Sequence, residues 1–338
     1  MAQNINISDS ILLSICIPTY NRAKYLSICL ECIFSQIDIN DRVEVIVSDN
    51  CSSDETIKVI DQYKNHPCLK VIRQVKNVGP MRNGAELVSN YAKGKFCWYV
   101  GDDDYIMLGA ISNILNLIAQ NPQTEFFYVD IENHEIDKNK VSLAETFLYI
   151  KSKDKVSRLE YIFLEKFENV LSPKYSDLFL GEMMACIFKR ELWLNESISP
   201  YLDLEYLSTL ETSYLHCVVF ANQFMGCNAI YVSTPVIFVD NRAREWSAKA
   251  SYILVEHLYT LLFLYKKNGL SDKLFRICAM HYMKLTLPVV FKFLVSPGNI
   301  YRNKISFYRY FKFLLLNPTL FIQTILTRVF IKIFRFIS

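Results

Sequence analysis

Apolar residues fall into short runs closed by polar turns, and these runs alternate with stretches of helical period. Residues 12–17 form a compact apolar run ended by Pro18, the pattern of a short buried strand. A helical stretch follows over about 23–36. Residues 43–48, dominated by Val and Ile, predict a second strand. Residues 49–54 carry turn chemistry, and Asp54-Glu55-Thr56 opens a helix reaching about Tyr63. A third strand is predicted at 69–74, a helix at 84–91, and a fourth strand at 95–100 that runs straight into Gly101-Asp102-Asp103-Asp104. Strands alternating with helices imply a largely parallel α/β sheet. Ligands of such sheets gather beyond the carboxyl ends of the strands. Residues 18–22, 49–54 and 102–104 all fall there.

The middle of the chain is less regular. Residues 126–131 and 229–239 read as strands, while 134–155 is polar and reads as a loop or insertion. Beyond about Trp246 the pattern is helical to the end. The expected division is a catalytic unit over 1–245, with halves at about 11–110 and 111–245, and a helical C-terminal region over 246–338.

Composition adds an ordinary charged share (21%) and an apolar half (51%), which exclude a disordered chain and allow a sizeable core. Ten cysteines show no repeating spacing, and several sit in apolar runs, as buried free thiols of a reducing cytoplasm do. Cys29-x-x-Cys32 has no second pair or His cluster to make a zinc site and reads as helix packing. Residues 1–10 are polar and lack the basic-then-apolar order of a signal peptide. No uninterrupted apolar run reaches the ~20 residues of a bilayer span.

Charge is unevenly placed. From His281 onward there are nine Lys or Arg and no acid, so the preceding part carries 28 basic against 34 acidic residues. An acidic body thus bears a basic, greasy tail. Residues 319–337 hold twelve large apolar side chains, with Thr324, Arg328, Lys332 and Arg335 recurring at helical spacing. This is the pattern of an amphipathic helix lying in a membrane interface. The wider set Lys284, Lys292, Arg302, Lys304, Arg309 and Lys312 would favour anionic lipid. Packing onto protein is the alternative. No base-reading or stacking motif accompanies the charge, which argues against nucleic acid.

Three consecutive aspartates after an apolar strand repel one another unless a positive group sits among them. The segment alone leaves two readings open. One is a solvated turn capping a helix near Met107. The other is a Mg²⁺ or Mn²⁺ site on Asp102 and Asp104, shared with a diphosphate, since these ions take one or two carboxylates plus phosphate oxygens. In an extended segment Asp102 and Asp104 share one side and Asp103 faces away.

Four segments together resemble family-2 glycosyltransferases of the GT-A fold. They are Ser14-Ile-Cys-Ile-Pro-Thr-Tyr-Asn-Arg22, Val45-Ile-Val-Ser-Asp-Asn-Cys-Ser-Ser-Asp-Glu-Thr56, Asn77-Val-Gly-Pro-Met-Arg-Asn-Gly84 and Trp98-Tyr-Val-Gly-Asp-Asp-Asp104. The match covers about residues 11–110, and its flavour is that of bacterial surface-polysaccharide sugar transferases such as the abequosyltransferase-like group. The resemblance implies a mostly parallel central sheet flanked by helices and an inverting transfer from a nucleotide-sugar. The UDP-sugar is the family's habitual donor. The implied acceptor is a lipid-linked glycan at the inner face of the cell membrane, with the enzyme cytoplasmic and peripherally attached. It also implies roles. Pro18, Tyr20 and Arg22 border the nucleotide, and Asp49 accepts from the base imide. Asn77 and Arg82 hold the donor, with the Arg82 fork suited to phosphate. Asp102 lies by the ribose and metal, Asp103 counts with the donor-binding residues, and Asp104, with Asp102, ligates the metal.

An inverting transfer needs a base for the acceptor hydroxyl. The family takes it from a Glu-Asp pair, which has become Glu211-Thr212 here. Glu211 is the leading candidate and His216 the second, with Asp203 and Glu205 behind; Glu182 is a candidate contact to acceptor hydroxyls. Arg242 and Arg244 follow a strand where the family has a mobile segment, and they are candidates for the diphosphate, with Trp246 for stacking on a sugar. Thr19 and Asn21 read as turn formers. Two other classes stay open: a nucleotidyltransferase, whose glycine-rich loop is not visible, and a catalytically silent membrane-bound scaffold, suggested by the missing Asp at 212.

Overall fold

The computed structural model describes residues 11–38, 42–133, 142–240, 249–295 and 304–316, together with 318, 319 and 322. The sequence-predicted tail helix over 319–337 therefore lies almost wholly outside the described residues.

The first half forms β1 (Leu13–Thr19), α1 (Ala23–Phe34), β2 (Val43–Asp49), α2 (Thr56–Asp61), β3 (Leu69–Arg73), α3 (Pro80–Glu86) and β4 (Phe96–Tyr99). β3-β2-β1-β4 is an all-parallel block. Every residue of β2 is buried and β1 nearly so. This continuous burial, rather than alternation, marks strands covered on both faces. α3 starts earlier than its periodicity suggested because Pro80 sits in its first turn, where its missing N–H costs nothing. It continues into a π-helical turn, Leu87–Tyr91.

The second half adds β5 (Asp104–Ile106), α4 (Ala110–Gln120), β6 (Phe126–Asn133), α5 (Leu143–Ser152), β7 (Tyr161–Leu164), β8 (Cys186–Lys189), α6 (Arg190–Leu194), α7 (Leu210–Ser213), α8 (Leu215–Gln223) and β9 (Ala229–Val239). The full sheet order is β3-β2-β1-β4-β8-β6-β9-β5, with β7 also pairing β9. Parallel pairing supplies the longer ladders, including β6 with β9. Antiparallel pairs attach β8, β5 and β7. The expected strand at 229–239 has the observed bounds of β9.

Two segments differ from expectation. Part of the supposed insertion is α5, whose start is fixed by a reciprocal cap: Ser142 accepts from the Glu145 N–H and Glu145 accepts from the Ser142 N–H. The helix expected near Met107 starts only at Ala110. Residues 104–106 instead pair with β9, and Gly109 takes a left-handed φ of 84° before the helix.

The C-terminal helices are α9 (Ala250–Lys267), α10 (Asp272–Val295) and α11 (Phe307–Leu316). α9 packs on α7, α8 and α10. α10 has the length and composition to cross a membrane, yet Cys278, Ala279, Tyr282 and Met283 are buried within the protein. α11 is tied to α9 by the pair of Arg309 Nη2 with Glu256 Oε2 at 3.1 Å. All ten cysteines are free, and burial pushes the Cys32 thiol up to about 12.

A close backbone approach aligns β4 with β1. Gly94 donates to Ser14 Oγ at 2.8 Å, and Ser14 donates on to buried Glu44 at 2.6 Å. A Cβ at Gly94 would come within 2.7 Å of the Ser14 backbone nitrogen. Gly94→Ala is therefore expected to destabilise the fold by about 1–3 kcal/mol, the range for overpacking. Urea unfolding checks this, and an unchanged midpoint would contradict the close approach.

Candidate active site

The strand ends β1, β2 and β4 bring three loops together. The loop after β1 is held in place by the loop after β2. Asn50 N donates to the Thr19 carbonyl at 2.9 Å, Asn21 N to Ser52 Oγ at 2.8 Å, and Ser53 N to Asn21 Oδ1 at 2.8 Å. Asn21 and Cys51 both adopt positive φ (53° and 67°), sparsely populated conformations that persist only where surrounding bonds impose them. Pro18 ends the inner part of β1, and Tyr20 is exposed beside it.

Asp102 is the centre of this meeting point. Thr19 Oγ1 donates to its Oδ2 at 2.7 Å, and Arg22 Nη1 to its Oδ1 at 3.0 Å. The same Arg22 nitrogen lies 3.1 Å from Asp103 Oδ2. Burial pushes the Asp102 carboxyl up to about 7. Arg22 and the Thr19 hydrogen bond pull against that rise, and the charge of Asp103 adds to it. Burial also raises the Asp103 carboxyl, again against Arg22, with Asp240 adding to the rise. The Asp240 N–H donates to the Asp103 carbonyl at 3.3 Å.

Residues 101–104 form a turn, so the arrangement that an extended segment would give its aspartates does not arise. Asp104 N donates to the Gly101 carbonyl at 3.1 Å, and Asp104 Oδ2 accepts from Gly101 N at 3.0 Å. A Cβ at 101 would lie 2.7 Å from Asp104 Oδ2 and would force that carboxylate to shift. Asp102 and Asp104 are both buried, so the solvated-turn reading does not hold.

Asp49 ends β2 fully buried. Its Oδ1 accepts from Ser52 N at 3.0 Å. Its Oδ2 has no hydrogen-bond partner, with Arg73 Nε 3.5 Å away. Asn77 Oδ1 accepts from Asn50 Nδ2 at 3.0 Å and from Gly79 N at 2.8 Å, which braces the loop before α3. Arg82 on α3 reaches Asp203 across the surface at 3.4 Å and Glu86 at 3.6 Å; its buried Nε makes no hydrogen bond. Arg242, Arg244 and Trp246 lie outside the described residues.

A cavity of about 160 Å³ opens between α3 and the α7–α8 wall, lined by Met81, Tyr99, Tyr206, Thr212, Ser213 and His216 among others. Tyr99 belongs to both regions. Its phenol is pushed well up by burial and by neighbours that include Asp102 and Asp104. Glu211 sits in the first turn of α7 and is not among the cavity-lining residues. Thr212 closes the cap of α7, accepting from Ser208 N at 3.0 Å and Thr209 N at 2.9 Å. His216 is buried with Nε2 3.0 Å from the Leu180 carbonyl. Glu182 accepts from the Tyr128 hydroxyl at 3.3 Å.

The sequence reading missed three participants. Thr19 was read as a turn former and is the buried donor to Asp102. It lies two residues after Ile17, on the same face of β1, which was the available signal. Asp240 and His257 stand in no motif.

A family model described as "Glycosyl transferase family 2" matches residues 14–183, half of the chain. The chain belongs to glycosyl transferase family 2. It is 28% identical over 270 residues to the abequosyltransferase RfbV of Salmonella typhimurium, covering 76% of each chain. It is 32% identical over 260 residues to an uncharacterized glycosyltransferase of Haemophilus influenzae, covering 72% of this chain and 83% of that one. The crystal structure of Staphylococcus aureus TarS 1–349 superposes with a TM-score of 0.53 at 18% identity, covering 89% of this chain and 77% of that one. The same TarS fragment has been solved in complex with UDP-GlcNAc. The similarity of structure confirms the GT-A-like fold, and family membership makes the protein a glycosyltransferase.

Burial drives the His216 imidazole down to about 4, with the Leu180 carbonyl pulling the other way. The folded state therefore resists a proton that the unfolded chain accepts near 6.5. Stability is fully present above about 6.5 and falls as pH drops from there through about 4. Thermal unfolding of wild type and His216→Gln across this window checks the effect. The variant is expected to lose less stability on acidification, by up to about 3 kcal/mol. Parallel curves would overturn the assignment.

Proposed function

We propose that this family-2 glycosyltransferase moves a sugar, with inversion, from a nucleoside-diphosphate donor to a hydroxyl of a lipid-linked glycan in bacterial surface-polysaccharide assembly. One observation carries the donor reading: the buried Asp49 oxygen without a hydrogen-bond partner, at the end of β2 and beside the acidic turn. Arg73 offsets its charge from 3.5 Å, but a buried acceptor without a hydrogen bond is still costly, and the imide N–H of a uracil would supply one. The TarS complex with UDP-GlcNAc supports a UDP-sugar. Pro18, Tyr20 and Arg22 then border the nucleotide, and Asn77 acts by bracing the loop that leads to α3. The Arg82 fork on α3 would meet phosphate, and Arg242 and Arg244 would join it.

Asp104 and Asp102 would hold Mn²⁺ or Mg²⁺. Their hard oxygens suit either ion, and Asp102, whose ionised form is disfavoured by burial, gains from a nearby cation. The ion would act as a Lewis acid on the departing diphosphate. Asp103 keeps Arg22 in place against the turn. The acceptor enters the cavity beneath Tyr99, and its proton leaves into the α7–α8 wall, from which Glu211 and His216 come. Calorimetric titration with UDP-, CDP-, GDP- and dTDP-sugars, with and without Mn²⁺, tests the donor reading. Asp49→Ala is expected to weaken nucleotide binding by about 10- to 100-fold, a loss of about 1.4–2.8 kcal/mol. Asp104→Ala should abolish the Mn²⁺-dependent component of binding. Absence of any donor binding by the wild type would favour the silent scaffold.

A membrane role for the region from 246 onward is supported by Phe291, Leu294 and Val295 on α10 and by Tyr308, Phe311 and Leu315 on α11. All six are exposed, with exposed Lys292 and Lys312 among them. Such a mixed surface suits an anionic bilayer at the inner face of the cell membrane. Deleting residues from Asn317 onward is expected to weaken sedimentation with anionic liposomes, with the surface of α10 and α11 retained, while donor binding persists. Undiminished sedimentation would refute the tail's role.

A further inference from the structure

The polar groups lining the cavity differ in what they have left to offer. Thr212 Oγ1 accepts from Ser208 N and Thr209 N and faces the Thr209 carbonyl at 3.3 Å, so it is committed to capping. His216 commits Nε2 to Leu180, is packed against the rings of Tyr214 and Phe220, and has no carboxylate acting on it. Tyr99 and Tyr206 are phenols, poor proton acceptors at neutral pH. Ser213 is different. It lines the cavity, and its hydroxyl lies 2.7 Å from Nδ1 of His257, a buried residue of α9.

We propose that Ser213 and His257 form a proton relay, in which the Ser213 hydroxyl takes the proton of the acceptor hydroxyl and passes its own to His257 Nδ1. This rests on the transferase reading above. With Nδ1 facing Ser213, the relay takes the tautomer that carries the ring proton on Nε2. That tautomer leaves the Nδ1 lone pair toward the serine, the arrangement in which an imidazole activates a hydroxyl. In the transfer, the acceptor oxygen bonds the anomeric carbon. The bond from that carbon to the diphosphate oxygen breaks, and its electron pair leaves with the nucleoside diphosphate. The acceptor O–H proton goes to Ser213 Oγ, the Ser213 proton goes to Nδ1, and His257 ends as an imidazolium. Solvent removes that proton after product release.

The surroundings bear on the imidazolium from every side. Glu211 on α7 attracts it, Arg309 on α11 opposes it, and Tyr252, one turn earlier on α9, packs edge-on at 5.1 Å. Glu256 precedes His257 on α9 but is paired with Arg309. Burial holds the resting imidazole down at about 4, so it is neutral at pH 7, and Glu211 offsets part of the cost of protonating it. Glu211 thereby acquires a part at a distance: it does not line the cavity but stabilises the charge that the relay creates. The family's carboxylate base is replaced by a hydroxyl and an imidazole drawn from two separate elements.

The test uses the full chain, the nucleotide sugar selected by the donor titration and a panel of octyl glycosides as acceptors. Ser213→Ala and His257→Gln are each expected to lower kcat about 10²-fold, within the range of general-base catalysis, with donor Kd unchanged. Ser213→Thr keeps the hydroxyl and should retain most of the rate. His257→Gln should also remove the acidic limb of the kcat profile, which a merely structural role would leave in place. Full kcat in both Ser213→Ala and His257→Gln overturns the relay, as does a loss confined to His216→Gln. Independently of turnover, ¹⁵N spectra of the wild-type imidazoles should place the His257 proton on Nε2. A proton on Nδ1 rules the relay out even if no acceptor in the panel is used. A wild type that binds no donor defeats the transferase reading instead.

Discussion

The burial of one carboxylate organises the meeting point of the loops that follow β1, β2 and β4. Asp102 sits almost without water between a hydroxyl from β1 and a guanidinium from the loop that follows it. A charge in such a place is tolerated only when it is paired and hydrogen-bonded. That requirement fixes the loop after β1, which the loop after β2 holds in an unusual backbone conformation, and it fixes the tight return at Gly101. Removing Arg22 or Thr19 would leave the carboxylate uncompensated, and the cluster of acids around it would then repel.

The wall of the cavity is built by a different device. Its wall is the short helix α7, too short to be stable by itself, held by a cap whose accepting group is Thr212. In the related enzymes an acidic residue at this place carries the chemistry, as the resemblance implies. Here a hydroxyl closes the cap, and the neighbouring Ser213 faces an imidazole from α9. The C-terminal helices are therefore more than an appendage, since α9 brings a side chain to the wall of the cavity.

Much of the donor half was legible in the sequence because its information is local. Apolar runs ended by Pro18, Asp49 and Gly101 mark strand ends, and strand ends are where a parallel sheet binds ligands. β9 was legible for the same reason, as a long run of β-formers. β5 was not, because three residues following a turn carry no period; its partner strand defines it. α5 was hidden in a polar stretch whose capping signal, Ser142 and Glu145, is only three residues wide. The pairing of Ser213 with His257 joins two helices with an intervening strand between them in sequence, so no motif or spacing encodes it.

The pairing of β5 with β9 carries a consequence for how the protein comes to be assembled. Asp104 is opposite Val239, at the far end of the sheet-forming chain. β5, which follows the last of the recognisable motifs, thus joins the sheet only through its last strand. Contacts between such distant parts of a chain close late, after the entropy of the long intervening loop has been overcome. During synthesis, the aspartate expected to face the donor's diphosphate would reach its resting place only once the last strand has left the ribosome and docked.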